Sequence, residues 1–167
     1  MSPNSEPPSE PTTCVTAGEM MTPPPAAVHP GDELRSAVGA LISADLVALP
    51  VTDDSGRLVG LIHEEELLVL AEDPHLVEQE AEVARFWPLA GGRRAAKHLQ
   101  VLQAKRVSEV MGHHPPSVHV SARCEHAAEA MADHHIGVLP VVDDEGHLVG
   151  VLTRQALLEA WWAGRLC

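Results

Sequence analysis

The fold is decided by one stretch, Leu139-Pro-Val-Val-Asp-Asp-Glu-Gly-His-Leu-Val-Gly-Val-Leu-Thr-Arg-Gln-Ala-Leu-Leu158. The same pattern occurs 90 residues earlier, as Leu49-Pro-Val-Thr-Asp-Asp-Ser-Gly-Arg-Leu-Val-Gly-Leu-Ile-His-Glu-Glu-Glu-Leu-Leu68. At that fixed offset, without gaps, residues 19–68 match residues 109–158 at 18 of 50 positions. Unrelated windows of this length do not match so closely, so the chain contains an internal repeat.

Each repeat contains a hairpin followed by a helix. In the second repeat, the apolar run 137–142 reaches an Asp-Asp-x-Gly turn, and a second apolar run, 147–152, leaves it. Asp and Gly tolerate the left-handed conformations that join two antiparallel strands. Thr153 then stands as an N-cap before strong helix formers, and an amphipathic helix is predicted before the hairpin, within 121–135. The apolar face of that helix consists of Cys124, Ala127, Ala128, Met131 and Ala132.

This pattern resembles the CBS domain, the module named after cystathionine β-synthase. The resemblance covers both repeats and rests on Leu-Pro-Val-x-Asp-Asp-x-Gly-x-Leu-Val-Gly, which begins at Leu49 and again at Leu139. It implies an α/β (α+β) fold of tandem repeats, each strand-helix-strand-strand-helix, packed around a pseudo-twofold axis with two clefts between them. In the family those clefts commonly bind adenosine-containing ligands, namely AMP, ADP, ATP or S-adenosylmethionine, and report the level of the ligand to an attached or partner protein.

The order of the chain predicts four segments. Residues 1–14 form a tail rich in Pro, Ser and Glu that cannot bury enough apolar surface to offset its ordering entropy, so we expect it to be disordered. Repeat 1 spans 15–71, a connector with two helical patterns spans 72–106, and repeat 2 spans 107–167. The two repeats together are expected to form one globular module.

Within repeat 1 the sequence predicts a short helix in Val15–Met21, a strand near Ala27–His29, and a longer helix, Glu33–Asp45. Asp32 is expected to be the N-cap of the longer helix, and a further helix begins near Glu64. The buried stripe of the longer helix is predicted to be Leu34, Ala37, Val38, Leu41 and Ile42.

Composition argues for a compact protein and against two classes of partner. Hydrophobic residues make up 45% of the 167 residues, enough for one domain-sized core. The formal net charge of −13 argues against binding to nucleic acid phosphates or to an anionic membrane surface. No apolar run approaches the roughly 20 residues of a membrane span, and no signal pattern is visible, so we expect a cytoplasmic protein. The cysteines show no paired spacing and are interpreted as free thiols: Cys14, Cys124 and Cys167.

Two pairs of aromatic residues stand out in a chain that contains three Trp, one Phe and no Tyr. Phe86-Trp87 lies in the connector, and Trp161-Trp162 lies at the end of the last predicted helix. Such side chains cover apolar surface either on their own subunit or on a partner. We therefore expect a homodimer in which these aromatics contribute to self-association.

The resemblance also locates a ligand signature. In CBS modules that bind nucleotides, the hairpin ends in Gly, two apolar residues and Thr or Ser, and an Asp follows three residues later. That carboxylate offers two acceptor oxygens to the ribose diol. Here the second repeat has Thr153 but Ala156 in the Asp position, and the first repeat has His63 in the Thr position and Glu66 in the Asp position. Neither repeat carries the full pair.

We expect the second repeat to be the better ligand site, because Thr153 and Arg154 stand at a helix N-terminus, where backbone N–H groups favour anions. The alternative interpretation is structural, with Thr153 as a simple N-cap and Glu64–Glu66 as charges that favour the helix dipole. The candidate ligand-binding residues are Thr153, Arg154, Gly137, Val138 and Pro140 in the second repeat, and His63, Glu66, Val47, Ala48 and Pro50 in the first.

Histidines are the other unusual feature, since seven of the eleven fall in the second repeat. A metal site needs three or four converging ligands, and their spacing shows no tight metal-binding motif, so no metal site is predicted. A metal- or pH-responsive role stays open as an alternative. The seven are His113, His114, His119, His126, His134, His135 and His147.

No catalytic motif is recognisable, and no phosphate-binding loop of the Walker type occurs, so we predict that the protein is not an enzyme. The sequence favours a stand-alone regulatory or sensor module that binds an adenosine-containing ligand and acts on an unknown protein partner. The alternative, from a different class, is a structural dimerisation or protein-interaction module that binds no nucleotide.

Overall fold

A computed structural model of the chain describes residues 15–71, 100–101 and 103–166. The predicted tail, most of the predicted connector and the Phe86-Trp87 pair lie outside the described residues. Within the described ranges, no helix has both the length and the apolar composition that crossing a membrane requires.

The elements follow the predicted order of helix, strand, strand and helix in each repeat. In the first repeat they are α1 (Ala17–Met20), α2 (Leu34–Ala44), β1 (Ala48–Thr52), β2 (Leu58–His63) and α3 (Glu64–Leu67), followed by a 3₁₀ turn (Leu68–Ala71). In the second they are a 3₁₀ turn (Val107–Glu109), β3 (Gly112–His113), β4 (Val118–His119), α4 (Cys124–Asp133), β5 (Val138–Val142), β6 (Leu148–Thr153) and α5 (Arg154–Trp162).

These elements pack into two compact units, and neither unit coincides with one repeat. The first unit comprises the described parts of Met1–Pro25, Ser55–Leu58 and Pro115–Cys167. The second comprises the described parts of Ala26–Asp54 and Val59–His114. Each unit therefore contains the hairpin strands of one repeat and the opening segment of the other, and the first unit also contains Ser55–Leu58, the turn of the first repeat's hairpin.

The first unit is built on a three-stranded sheet in the order β4-β5-β6. β4 runs parallel to β5, with Val118 opposite Val141, and β5 runs antiparallel to β6, with Val138 opposite Thr153. Four of the five β5 residues are buried, because helices cover the strand while its neighbours pair with its edges. The core comprises Val15, Ala17, Val118, Cys124, Ala127, Met131, Ile136, Leu139, Val141, Leu152, Leu157 and Ala160.

The second unit has a sheet in the order β1-β2-β3. β2 and β3 are antiparallel, with Gly60 opposite His113 and Leu61 opposite Gly112. Its core comprises Val28, Leu34, Ala37, Leu41, Leu49, Val51, Ile62, Leu67, Val101, Val107 and Val110.

The opening segments are held in their units by equivalent backbone hydrogen bonds. In the first unit, the N–H of Ala17 donates to the carbonyl of Ala122 at 2.7 Å. In the second unit, the N–H of Val107 donates to the carbonyl of Asp32 at 3.0 Å. Ala17 and Val107 occupy the same position in their repeats, and both side chains are completely buried. Each core is thus completed by chain that belongs, in sequence, to the other repeat.

The strand predicted near Ala27–His29 is wrong. The segment makes a backbone hydrogen bond from the N–H of Thr52 to the carbonyl of Val28, at 2.9 Å, but forms no strand. The reason lies in Pro30, which has no N–H to donate. At the equivalent position of the second repeat, the N–H of Val120 donates to the neighbouring strand at 2.9 Å, and β4 forms.

The prediction that Asp32 caps the next helix is also wrong. Its carboxylate accepts from the N–H of His29 at 2.8 Å, and Glu33 is the N-cap residue. The helix, Leu34–Ala44, is one residue shorter at each end than predicted. Asp45 ends it by adopting the left-handed conformation, with φ of 52°.

The predicted buried faces of the two long helices are correct at their centres and wrong at their margins. Ile42 is 72% exposed, and Ala132 is also exposed, whereas Val38 and Ala128 are half-buried. A side chain at the edge of an amphipathic stripe is buried only where a neighbour reaches over it. The buried members are Leu34, Ala37, Leu41, Cys124, Ala127 and Met131.

Candidate functional site

The junction between β6 and α5 carries the signature residue Thr153. This residue ends the strand in an extended conformation, with φ of −110° and ψ of 157°, and is the N-cap of the helix. Its Oγ accepts a hydrogen bond from the N–H of Ala156 at 3.2 Å. The capping role predicted for Thr153 is therefore confirmed. A hydroxyl that accepts through one lone pair keeps its own proton available to donate.

Arg154, the first residue of α5, is anchored to the chain that enters β5. Its backbone N–H donates to the carbonyl of Gly137 at 3.2 Å. Its side-chain Nε donates to the carbonyl of Ile136 at 2.9 Å. These two bonds hold the guanidinium beside the helix N-terminus, and they leave its two terminal nitrogens as the remaining donors of the group.

The other three candidates in the second repeat lie on the entry to β5 and along it. Val138 pairs with Thr153, and Pro140 pairs with Val151. Both Val138 and Pro140 are buried, whereas Gly137 is half-buried. Val138 and Pro140 are buried and have apolar side chains. The polar side chains of the junction therefore come from Thr153 and Arg154.

The corresponding junction of the first repeat, between β2 and α3, has the same backbone frame. The N–H of Glu64 donates to the carbonyl of Val47 at 2.9 Å, which is the counterpart of the Arg154–Gly137 bond. His63 is the N-cap residue but makes no side-chain capping hydrogen bond. The two junctions therefore share the same backbone hydrogen bond but carry different side chains.

The side chains of the first junction present negative charge. All three residues of the run Glu64–Glu66 lie in the first turn of α3, which has four residues. Val47 is 42% exposed, while Ala48 and Pro50 are buried as their counterparts in the second repeat are. Among the described residues of this junction, none of the five candidates and neither Glu64 nor Glu65 is a Lys or an Arg that could pair with a phosphate group.

Sequence reasoning missed one contributor to the second junction, the carbonyl of Ile136 that holds Arg154. A backbone carbonyl carries no residue-type signal, so the sequence contains nothing that marks it. The bond became recognisable only when the path of the chain into β5 was known.

Comparison with known proteins finds the same domain twice in the chain, as the internal repeat predicts. The sequence profile of the CBS domain matches residues 17–73 and 107–163. The chain is 30% identical over 151 residues to CBSX2, a chloroplastic CBS domain-containing protein of Arabidopsis thaliana. That match covers 87% of this chain and 63% of CBSX2, so the chain spans less than two thirds of that relative.

Solved structures of similar fold have been determined with nucleotides. The chain resembles CBSX2 in complex with AMP, with 29% identity, a TM-score of 0.63, and coverage of 87% of this chain and 95% of that one. It also resembles the cytosolic domain of the Mg²⁺ channel MgtE in complex with ATP, with 29% identity, a TM-score of 0.61, and coverage of 87% and 48%. The α/β architecture that the sequence predicted is confirmed by these structures. Because the profile matches more than half of its residues, the chain belongs to the CBS domain family, with two CBS domains in tandem.

Proposed function

We propose that the chain is a regulatory module that binds an adenosine-containing ligand, AMP, ATP or S-adenosylmethionine, at the β6–α5 junction. The supporting relatives are CBSX2, solved with AMP, and the cytosolic domain of MgtE, solved with ATP. The observation that carries the proposal is the arrangement of Thr153 and Arg154, whose hydroxyl and guanidinium stand together at the N-terminus of α5. The regulated partner is another protein, and the module itself has no catalytic step.

Anion binding follows from the chemistry of this junction. The first turn of a helix has backbone N–H groups without intrahelical partners, and the helix dipole favours negative charge there. Arg154 adds a full positive charge whose position is fixed by the carbonyl of Ile136. A phosphate group, or the carboxylate of S-adenosylmethionine, is therefore the part of the ligand expected next to Arg154.

Affinity is expected to be modest, because Ala156 replaces the carboxylate that pairs with ribose in the family signature. A hydrogen bond to a charged group contributes roughly 1.5–3 kcal/mol. Its absence therefore costs about one to two decades of affinity. At the first junction, Glu64–Glu66 repel phosphate, so His63 and Glu66 are expected to contribute no binding of AMP or ATP there.

Calorimetry with AMP, ATP and S-adenosylmethionine tests the proposal. Thr153→Ala and Arg154→Gln are expected to weaken binding, whereas Glu66→Gln, the matched change at the first junction, is expected to leave it unchanged. Ala156→Asp restores the missing carboxylate and is expected to strengthen binding about ten- to a hundredfold. Binding that is abolished by changes at His63 or Glu66, but not at Thr153, would overturn the assignment to the second junction.

A second function, structural dimerisation, is favoured by the exposed face of α5. Leu158, Trp161 and Trp162 are 66%, 64% and 76% exposed and lie together on this helix. Large apolar side chains are rarely left in water in such a group, so we propose that they join two copies of the chain in a homodimer. Light scattering is expected to report a dimer for the native chain and a smaller mass for Trp161→Gln/Trp162→Gln. A monomeric native chain would contradict this proposal.

Ligand binding and structural dimerisation predict different results for the Ala156→Asp variant. If Ala156→Asp folds and binds none of the three adenosine compounds, dimerisation becomes the leading function. A cytoplasmic location stays a prediction from composition, and the name of the relative CBSX2 describes that protein as chloroplastic.

A further inference from the structure

The turn that joins β5 to β6 brings three metal-binding side chains together. Asp143, Glu145 and His147 each place one ligand atom so that all three atoms lie within 4.8 Å of one another. Nδ1 of His147 is 3.2 Å from Oδ2 of Asp143 and 3.5 Å from Oε2 of Glu145. The trio combines an imidazole with two carboxylates of different reach, and it lies at the other end of the hairpin from the β6–α5 junction.

The position of Asp143 is fixed by the backbone of the turn. Its Oδ1 accepts from the N–H of Glu145 at 3.0 Å and from the N–H of His147 at 2.8 Å. Oδ1 is therefore occupied by two backbone donors, and Oδ2 faces Nδ1 of His147 at 3.2 Å.

The first repeat shows that the turn does not need these donors. Gly56 and Gly146, at equivalent positions, adopt nearly the same left-handed conformation, with φ of 86° and 83°. At the positions of Glu145 and His147, the first repeat has Ser55 and Arg57. Because the same turn forms with Ser and Arg, the glutamate and histidine are additions to a turn that Asp and Gly already build.

Two of the three separations between the ligand atoms are close to those of a tetrahedral metal site. Zinc ligands stand about 2.0–2.2 Å from the ion, so two ligands at a tetrahedral angle are roughly 3.4 Å apart. The two distances from Nδ1 of His147, 3.2 Å and 3.5 Å, lie on either side of that value. Imidazole nitrogen with carboxylate oxygen is a donor set that divalent first-row transition ions accept.

We propose that this turn binds one divalent transition-metal ion, with Zn²⁺ as the probe, through Oδ2 of Asp143, the carboxylate of Glu145 and Nδ1 of His147. Water completes the coordination. The imidazole binds as the neutral ring with its proton on Nε2, and the ion lies between Nδ1 of His147 and Oδ2 of Asp143. The first repeat, with Ser55 and Arg57, does not bind the ion.

The test is a titration of chelator-treated, full-length protein with ZnCl₂, followed by calorimetry. The variant Glu145→Ser/His147→Arg gives the second turn the residues that the first turn already has, so it is expected to fold. Changes to residues that only support a metal ligand typically weaken binding about 10- to 100-fold, so loss of two ligands is expected to weaken the site at least tenfold. Native protein is expected to bind one ion at this site.

Two controls separate the site from binding by scattered surface groups. Asp144→Asn removes a carboxylate of the same turn that pairs instead with Nε2 of His119, at 3.0 Å. His134→Asn removes an exposed histidine at the end of α4. Both controls are expected to keep native affinity for Zn²⁺. The proposal is overturned if native protein binds no Zn²⁺, if Glu145→Ser/His147→Arg binds as tightly as native protein, or if either control loses the site.

Should the double variant unfold, His147→Gln provides the second measurement. It leaves Asp143 and its two backbone hydrogen bonds in place, and thermal unfolding reports whether the hairpin is intact. A folded His147→Gln protein with native Zn²⁺ affinity also overturns the proposal. Cobalt-substituted protein offers an independent readout, since the expected ligands include no thiolate, and a strong thiolate-to-cobalt absorption band would assign the ion to a cysteine instead.

Discussion

Replacing Gly150 by Ala is expected to destabilise the protein more than the equivalent change at Gly60. A Cβ on Gly150 would lie 2.5 Å from Sδ of Met21 and 2.8 Å from the carbonyl oxygen of Thr22. A Cβ on Gly60 would lie 2.6 Å from Sδ of Met111, but its nearest backbone atom, the oxygen of Gly112, is 3.2 Å away. A methionine side chain can change its rotamer. A paired carbonyl has far less freedom to move.

The pairing of Thr22 sets the size of the effect. Its N–H and its carbonyl both bond to Val151, each at 3.0 Å, so the carbonyl cannot withdraw without breaking that bridge. Overpacking of this kind costs about 1–3 kcal/mol. Replacing Gly by Ala in a strand returns roughly 0.5–1 kcal/mol of backbone entropy. We therefore expect a net loss of about 1–2 kcal/mol for Gly150→Ala and less than about 1 kcal/mol for Gly60→Ala.

Thermal unfolding followed by circular dichroism measures the difference. For a chain of this size, each kcal/mol lowers the melting temperature by about 2–4 °C, so Gly150→Ala is expected to melt roughly 2–8 °C below the native protein. A double-mutant cycle then separates the two contacts. Met21→Ala is expected to relieve only part of the Gly150→Ala penalty, because the Thr22 carbonyl remains. Equal losses at Gly60 and Gly150, or full relief by Met21→Ala, would refute the reasoning.

Four further outcomes are expected. In a variant that keeps Cys124 as its only cysteine, this buried thiol is expected to react with a disulfide reagent only as fast as the protein unfolds, as timed by absorbance. Burial raises the pKa of Cys124, so its contribution to stability is present at neutral pH and lost as pH rises above the ordinary thiol range of about 8.5, which melting curves up to pH 10 will show. The N–H and hydroxyl of Thr16 lower the pKa of Glu19, so the melting temperatures of native protein and Glu19→Gln are expected to converge as pH falls below about 4. Thr153→Ala is expected to cost about 1 kcal/mol of stability through loss of the cap, and Thr153→Ser to cost little, by denaturant unfolding.

Turns, helix caps and strand breaks depend on the types of a few neighbouring residues, so much of the fold could be predicted from the sequence. The hairpin turns follow from Asp-Asp-x-Gly, since Gly56 and Gly146 adopt the left-handed conformation that the turn requires. The cap at Thr153 follows from its hydroxyl beside strong helix formers. The sequence also indicates that no strand forms near Ala27–His29, because Pro30 lacks the N–H that would donate to the neighbouring strand.

The remainder depends on which segment covers which surface. An apolar face predicts that a side chain is buried, but not whether its own repeat or the other one buries it. Ala17 was placed correctly on a short helix, yet nothing in the local pattern of Ala17 or Val107 indicates that their units also contain Ala122 and Asp32. The donors of the proposed metal site escaped detection for a related reason. They are spaced by two along a turn, and only its backbone path brings alternate side chains to one point.

The crossing of opening segments between units also has a consequence for synthesis. The ribosome synthesises residues 15–22 early, yet Thr22 bonds to Val151, 129 residues later, so this segment cannot pair until most of the chain has been made. The second unit is delayed as well, because Arg106 bonds to Gly31, 75 residues earlier. Neither core can close while only the first repeat is outside the ribosome. The second unit needs the chain as far as His114 and the first needs the last helix, so the second unit can close earlier. A nascent chain arrested between the repeats would expose the apolar face of α2, and that intermediate is the one a cellular chaperone would meet.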